Sequence, residues 1–346
     1  MGQISESQNI PGKEEGVTTA PRFIVSVGPQ VVAPLTTGGM MTGVILALLP
    51  AVAFSVYLFG RHALYLYLTC GLSAMIAELV SQKVRRVKVT INDKSALLTG
   101  ILLAACLPPS FPLWMGSLGA VFGIVVGKVF FGGLGSNIFN PALLGRAFLS
   151  AAFPNQMTTW VAPFYYRNLA TTSVIPGLDA ITTATPLGTA KFSHTFVSYR
   201  SLFLGTTAGS LGETSALLLI LGGIYIIVRG YADWRIPVGY ILTVFLFSDI
   251  SYLVRPDRFA NPLFHLLAGG LMLGTLFMAT DPVTTPITKK GRWIFGIGCG
   301  ILTMVVRLFG GMPEGVAYSI LFMNALTPLI NRGTKPRIFG TNKKKT

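Results

Sequence analysis

SALLTGILLAACLPP, residues 95–109, is apolar from Ser95 to Leu107 and then meets Pro108 and Pro109. A helix that crosses the hydrocarbon core of a bilayer needs about 20 apolar residues, and this run stops well short. Two prolines in succession remove two backbone donors and do not continue a helix. The stretch therefore predicts a broken helix that ends within the protein. FHLLAGGLMLGTLFMATDP, residues 264–282, resembles it: apolar, glycine-containing and closed by Asp281-Pro282. A second pair, GIVVGKVFFGGLGSNIFNPALLGRAF at 123–148 and GILTMVVRLFGGMPEGVAYSILFMNAL at 300–326, follows at a similar offset. The chain thus reads as two duplicated halves with a broken third and a broken eighth segment.

Working outward, further apolar runs fall at 39–59, 63–80, 114–131, 141–153, 213–228, 236–254, 293–309 and 315–330. With the two broken segments, 95–107 and 262–280, they predict an all-α polytopic membrane protein of about ten transmembrane helices. Five segments per half is an odd number, so the second half is inverted in the membrane relative to the first, as in transporter folds with discontinuous central helices. The fourth run carries Gly116, Gly119, Gly123 and Gly127, a small-residue stripe suited to close helix packing in lipid. The chain divides into an N-terminal segment 1–38, a first five-helix repeat 39–153, a connection 154–212, a second repeat 213–330 and a basic tail 331–346.

Composition agrees. The chain is 51% hydrophobic and 11% charged, with mean hydropathy +0.63, whereas soluble domains carry about 25% charged residues. The net charge of +15 does not point to nucleic acid, because Lys and Arg gather in short loops and tails. The loop SQKVRRVKVTINDK, 81–94, and the tail NRGTKPRIFGTNKKKT, 331–346, are basic. The positive-inside rule places both in the cytoplasm, which sets both termini inside and the 154–212 connection outside. The first twenty residues lack the basic and apolar regions of a signal peptide. Cys70, Cys106 and Cys299 lie far apart in apolar runs, which suggests neither a disulfide framework nor a metal site.

Charged and titratable residues at membrane depth are few, and such groups usually face the protein interior or water. Asp249 is the candidate ion or proton ligand, with Glu78 a second candidate on an ion path; Glu78 also lies within reach of Lys83. Lys128 and Arg307 fall at equivalent places in the two halves, which favours a structural role. His265 reads as a satisfied interhelical donor, and Asp281 as a turn or helix-end residue. No phosphate-binding loop, zinc motif or nucleophile elbow occurs, so no catalytic side chain is expected and any redox chemistry falls to a cofactor.

One polar island stands out in the outer connection: DAITTATPL, residues 179–187. It resembles the flavin-attachment motif of the RnfD and NqrB family, in which an Asp and a Ser/Thr precede the threonine that takes FMN through its phosphate. That threonine is Thr185 here; Asp179 and Thr182 belong to the same motif, and Thr183 stands where the family motif has Gly. ILALLPA at 45–51, NIFNPALLGRAF at 137–148, GETSALLLILGG at 212–223 and FMATDPVTTP at 277–286 also resemble the family, so the likeness spans residues 21–328. It implies a ten-helix, urea-channel-like fold of two inverted halves in the bacterial inner membrane. It also implies the RnfD subunit of an Rnf complex, which couples electron flow between ferredoxin and NAD to Na⁺ or H⁺ translocation. The resemblance further implies covalent FMN on Thr185, installed on the outer side by a flavin transferase. A second, non-covalent flavin, riboflavin, is also implied, and no stretch of the sequence locates it. The implied partners are an RnfG-like FMN subunit, RnfC, and the RnfA and RnfE membrane subunits. Arg146, Asn140, Glu213 and Thr214, near the ends of the fifth and sixth helices, are the candidate neighbours of the flavin. The alternatives are a channel or secondary transporter with its pore between the halves, and a scaffold protein in which the Thr-rich stretch is a plain loop.

Overall fold

The first two helices run back to back. α1 (Thr37–Phe59) and α2 (Arg61–Val84) are joined by Gly60 alone, and Thr36 opens α1 by accepting a hydrogen bond from Gly39 N at 3.2 Å. The computed structural model describes residues 36–168, 183–193, 195–256 and 259–336, and all regular structure among them is helical. α3 (Ser95–Ala105), α4 (Leu113–Ile124, extended by a π turn to Val129) and α5 (Pro141–Ala152) complete the first half. After the connection come α6 (Ala216–Val228), α7 (Arg235–Val254), α8 (Pro262–Leu267), α9 (Lys289–Phe309) and α10 (Val316–Gly333). Beyond α8 the chain breaks at Gly269 and resumes as a helical turn and a π turn through Met278.

α1, α2, α7 and α9 are long and apolar enough to cross a membrane. They also turn large apolar side chains outward, among them Tyr57, Ile76, Leu253 and Phe309. A soluble protein does not present such a surface, and a bilayer covers it without cost. The protein is a membrane protein. α2 packs on α3 and α4, and α4 on α5; in the second half α7 packs on α8 and α9, and α9 on α10. α1 against α6, and α5 against α10, join the halves. The small-residue stripe of α4 serves α5: a side chain on Gly145 would run into Gly119 O at 2.6 Å.

Helix breaks inside a membrane protein survive only where their backbone groups find partners. At the end of α3, Leu107 O accepts from Leu211 N at 3.0 Å, and Pro109 O from His62 Nδ1 at 2.8 Å. At the end of α8, the buried Arg307 donates to His265 O at 2.6 Å and Ala268 O at 3.1 Å, while Glu314 Oε1 accepts from Gly270 N at 3.0 Å. Lys128 is the counterpart cation in the first half. It donates to Glu78 Oε1 and to Ser95 Oγ, each at 2.6 Å, and so ties α4 to α2 and to the start of α3. The partner of Glu78 is therefore Lys128, fifty residues on, and not Lys83 on its own helix.

The α6–α7 turn carries a small ionic latch. Asp233 accepts from Arg235 N at 2.8 Å and binds the guanidinium of Arg292 on α9, beside an edge-to-face contact of Trp234 and Trp293 at 5.8 Å. Burial alone would raise the Asp233 carboxyl, but the Arg235 amide and the two guanidinium groups outweigh it and hold it below the usual carboxylate range. A lowered folded-state pKa contributes stability above the unfolded value of about 3.9. That contribution disappears as pH falls through the lowered value. Asp233→Asn should accordingly be less stable than wild type at neutral pH, with the gap in thermal unfolding closing below about pH 4. A gap that stays constant down to low pH would show that the charge of Asp233 contributes nothing to stability.

Candidate functional site

Residues 183–193 carry the end of the Thr-rich stretch and pack against the helices, with Pro186 and Leu187 buried and Lys191 donating to Arg307 O at 2.9 Å. Thr183 N donates to Trp160 O at 2.9 Å and pins the approach to the site. Thr185 then has extended backbone, and its Oγ1 accepts from Gly188 N at 3.1 Å, capping the turn that Pro186 begins. Pro186 and Leu187 are buried and hold the segment down, leaving Thr185 half-buried beside them. Asp179 and Thr182 lie outside the described residues.

Thr185 opens on a cavity of about 180 Å³ whose wall includes Arg146, Trp160, Glu213, Glu314 and Tyr318. Arg146 comes from the middle of α5 and pairs with Glu314, which stands just before α10. Glu213 ends the 3₁₀ turn Leu211–Glu213, and its Oε1 is buried without a hydrogen-bond partner among the described residues. A Cβ at Gly270 would lie 3.5 Å from Glu213 Oε1 and 3.6 Å from Glu314 Oε1, so both carboxylates converge on the break after α8. Two carboxylates and one guanidinium therefore share the wall of this cavity.

Three residues singled out in the sequence thus meet here: Thr185, Arg146 and Glu213. Asn140 does not join them. It caps the opposite end of α5, accepting from Ala142 N at 3.0 Å, and donates to Met278 O at 3.2 Å. There it lines a smaller cavity of about 70 Å³ with Lys128, Asn137 and Asp281. Six residues of helix, about 9 Å of rise, separate it from Arg146. Thr214 is buried with its carbonyl against Gly205 of the connection, and its hydroxyl has no hydrogen-bond partner among the described residues. α6 begins only at Ala216, capped by Ser215, which accepts from Leu218 N at 3.4 Å.

Residues 24–340 match the profile that describes the NQR2, RnfD, RnfE family. The chain belongs to this family. It is 46% identical over 323 residues to the D subunit of the Na⁺-translocating ferredoxin:NAD⁺ oxidoreductase complex of Acetobacterium woodii, covering 92% of this chain and 96% of that protein. It is likewise 46% identical over 331 residues to the D subunit of the proton-translocating ferredoxin:NAD⁺ oxidoreductase complex of Clostridium ljungdahlii, at 93% and 97% coverage. To the D subunit of the ion-translocating oxidoreductase complex of Escherichia coli the identity is 37% over 349 residues, at 93% and 99% coverage. The likeness to RnfD and NqrB read from the motifs is therefore a likeness of the whole chain.

Within this member of the NQR2, RnfD, RnfE family, the ion-path candidates are far apart in kind. Asp249 is half-buried on α7 and makes no hydrogen bond or ion pair among the described residues, whereas Glu78 is buried and committed to Lys128 and Gln82. Glu314 is a site residue that the motifs do not single out. It sits in a short loop between helices, where a carboxylate is ordinary; the signal for it is the depth of Arg146, since a cation so placed requires a counter-charge. His265 corrects an expectation outright: neither ring nitrogen has a hydrogen-bond partner among the described residues.

Proposed function

We propose that this protein is the RnfD subunit of an Rnf-type, ion-translocating ferredoxin:NAD oxidoreductase complex, and that it carries FMN covalently on Thr185. The supporting observation is that Thr185 is a half-buried hydroxyl opening on the same cavity as Arg146 at the junction of the two halves. The residues fit the group. Capping Gly188 N uses one lone pair of Oγ1, an interaction that an ester oxygen keeps, and the adjoining space is open to a phosphoryl group. At about 180 Å³ the cavity is smaller than the roughly 300–1,000 Å³ of ligand pockets, so it accommodates the attachment end rather than a whole flavin. FMN, when bound, supplies the one-electron relay that no side chain of this protein supplies. Arg146, already neutralised by Glu314, holds the carboxylate in place more than it binds phosphate. Tethering replaces binding affinity by local concentration, so no soluble nucleotide-binding domain is needed.

In this reading the chain crosses the bacterial inner membrane ten times in two inverted, urea-channel-like halves. Both termini are cytoplasmic and Thr185 is on the outer side. The matched packing of α2–α4 with α7–α9 supports it. Its partners are the remaining Rnf subunits, among them an RnfG-like FMN subunit, RnfC, RnfA and RnfE, with a flavin transferase for maturation. Riboflavin is the second flavin of the proposal. Electron flow drives Na⁺ or H⁺, with Asp249 and Glu78 as the carboxylates to test. Two relatives of equal identity bear different ions in their names, so overall likeness does not decide the ion. A pore between the halves is less favoured, because Leu103, Leu107, Leu211 and Leu271 are fully buried there.

The test is a denaturing gel of the full chain, made with the transferase and viewed under ultraviolet light. Wild type should give a fluorescent band that Thr185→Ala loses completely. A band of unchanged intensity in Thr185→Ala would sink attachment at this residue.

A further inference from the structure

Two acidic residues occur in the four long apolar helices α1, α2, α7 and α9: Glu78 and Asp249. Glu78 is buried and paired with Lys128. Asp249 is half-buried and makes no ion pair or hydrogen bond among the described residues. It stands about 21 Å along α7, a 20-residue helix about 30 Å long, and so about 8 Å inside the end at Val254. A charge at such a depth is costly unless it faces water or a partner. The side chain does not escape outward. Cα–Cβ bonds in a helix tilt toward the helix N-terminus, so the carboxylate is aimed away from Val254, and Asp lacks the long stem by which Lys and Arg snorkel. The nearby hydroxyls are occupied: Ser248 Oγ donates to Val244 O at 2.7 Å and Ser251 Oγ to Phe247 O at 2.8 Å.

The pattern around Asp249 identifies what completes it. One side of α7 is buried, with Ile236, Gly239, Tyr240, Val244 and Ser248 covered by the second half. On the other side Leu242, Leu246 and Leu253 are 50%, 49% and 73% exposed. With Asp249 they follow one another at steps of four, three and four residues, the spacing of a seam along which a second helix packs. Phe245 and Ile250, also exposed, flank that seam. Lipid covers the leucines without cost but offers no partner to a carboxylate, whereas a helix that brings a cation to the same depth satisfies both. We propose that this stripe of α7 docks a transmembrane helix of another subunit, and that a Lys or Arg on that helix pairs with Asp249. The inference rests on the proposal that the chain works within a multi-subunit complex. A second copy of this chain does not fit. A two-fold axis along the membrane normal sets the same residue of each copy at the same depth, so Asp249 would meet Asp249. The stripe faces out of the protein rather than toward the junction of the halves, which places Asp249 for assembly rather than on an ion path.

The test uses the whole complex in its own membrane, with a benzophenone amino acid placed at Leu246 or at Leu253 and photolysed. The expected result is an adduct with one other subunit, which mass spectrometry locates in a membrane-spanning segment that carries Lys or Arg. Asp249→Glu should keep that adduct and Asp249→Lys should lose it. Changing the partner's cation to Asp should restore it in the Asp249→Lys background, which a merely misfolded variant would not allow. In the purified subunit, Asp249→Leu should unfold in detergent no earlier than wild type, because no partner within the chain is lost. Adducts with lipid alone or with a second copy of this chain overturn the docking, as does a subunit adduct that persists in Asp249→Lys. An earlier unfolding of Asp249→Leu also overturns it, since the carboxylate would then serve its own chain. If wild type co-purifies with no other subunit, the reading as a subunit of a complex fails, and the docking with it.

Discussion

Lys128→Met is expected to destabilise the protein by about 3–5 kcal/mol, the range for removing one partner of a buried ion pair. Lys128 and Glu78 are 2% and 1% exposed, and the ammonium sits 2.6 Å from Glu78 Oε1. Without it the carboxylate stays buried with one amide donor, Gln82 Nε2 at 3.0 Å, while Glu78 Oε2 already has none. The loss spreads, because Lys128 also binds Ser95 Oγ, which donates to Asp93 Oδ1 at 2.6 Å, and Gln82 holds Thr90 N at 2.9 Å. One cation thus fixes the basic loop against the start of α3. The measurement is the detergent-denaturation midpoint of Lys128→Met beside the pair variant Glu78→Leu/Lys128→Met. The pair variant should recover most of the stability, since a buried ion pair replaced whole by apolar side chains is often neutral. Equal losses in the single and the pair variant would show that the hydrogen bonds to Ser95 and Gln82, not the charge pair, hold the region.

These same residues mark how far the sequence is legible. Pro108 and Pro109 announce the end of α3, and the runs of apolar residues locate nearly every helix, because both signals are local in sequence. The partners that make those breaks tolerable are not legible. Leu211 N serves Leu107 O across 104 residues, Arg146 meets Glu314 across 168, and Lys128 meets Glu78 across 50; no periodicity encodes which segments come together at such separations. Lys83, a turn and a half from Glu78, is the partner that proximity along a helix suggests, and proximity is all that a sequence displays. The π turns at Val125–Val129 and Gly274–Met278 leave no mark either, because a single i→i+5 turn has no composition of its own. At the site, the motif singles out Thr185, and the depth of Arg146 hints at a counter-charge. The unsatisfied ring nitrogens of His265 become visible only in the folded chain, since hydrogen-bond satisfaction is a property of packing and not of residue type.

Gly205→Ala should be the most damaging single-methyl change in the 154–212 connection. Gly205 closes the short helix Tyr199–Leu204 with φ 90°, donating to Ser201 O at 2.8 Å. For a residue with a side chain that conformation costs about 1–3 kcal/mol. A Cβ there would also overlap the Thr214 carbonyl and crowd Ser215 N at 2.7 Å. Those atoms cannot yield cheaply, because Ser215 is the cap of α6 and Thr214 is buried beneath the connection. The two costs can be separated with Gly230→Ala, where φ is 73° and no atom lies within 4 Å of the added methyl. Gly230→Ala should show the conformational cost alone, and Gly205→Ala that cost and at least as much again from the overlap. The helix that Gly205 closes packs on α8, so the larger effect should extend to that broken helix. Equal stability losses in the two alanine variants would mean that the start of α6 yields freely, and that the 154–212 connection is not held by this contact.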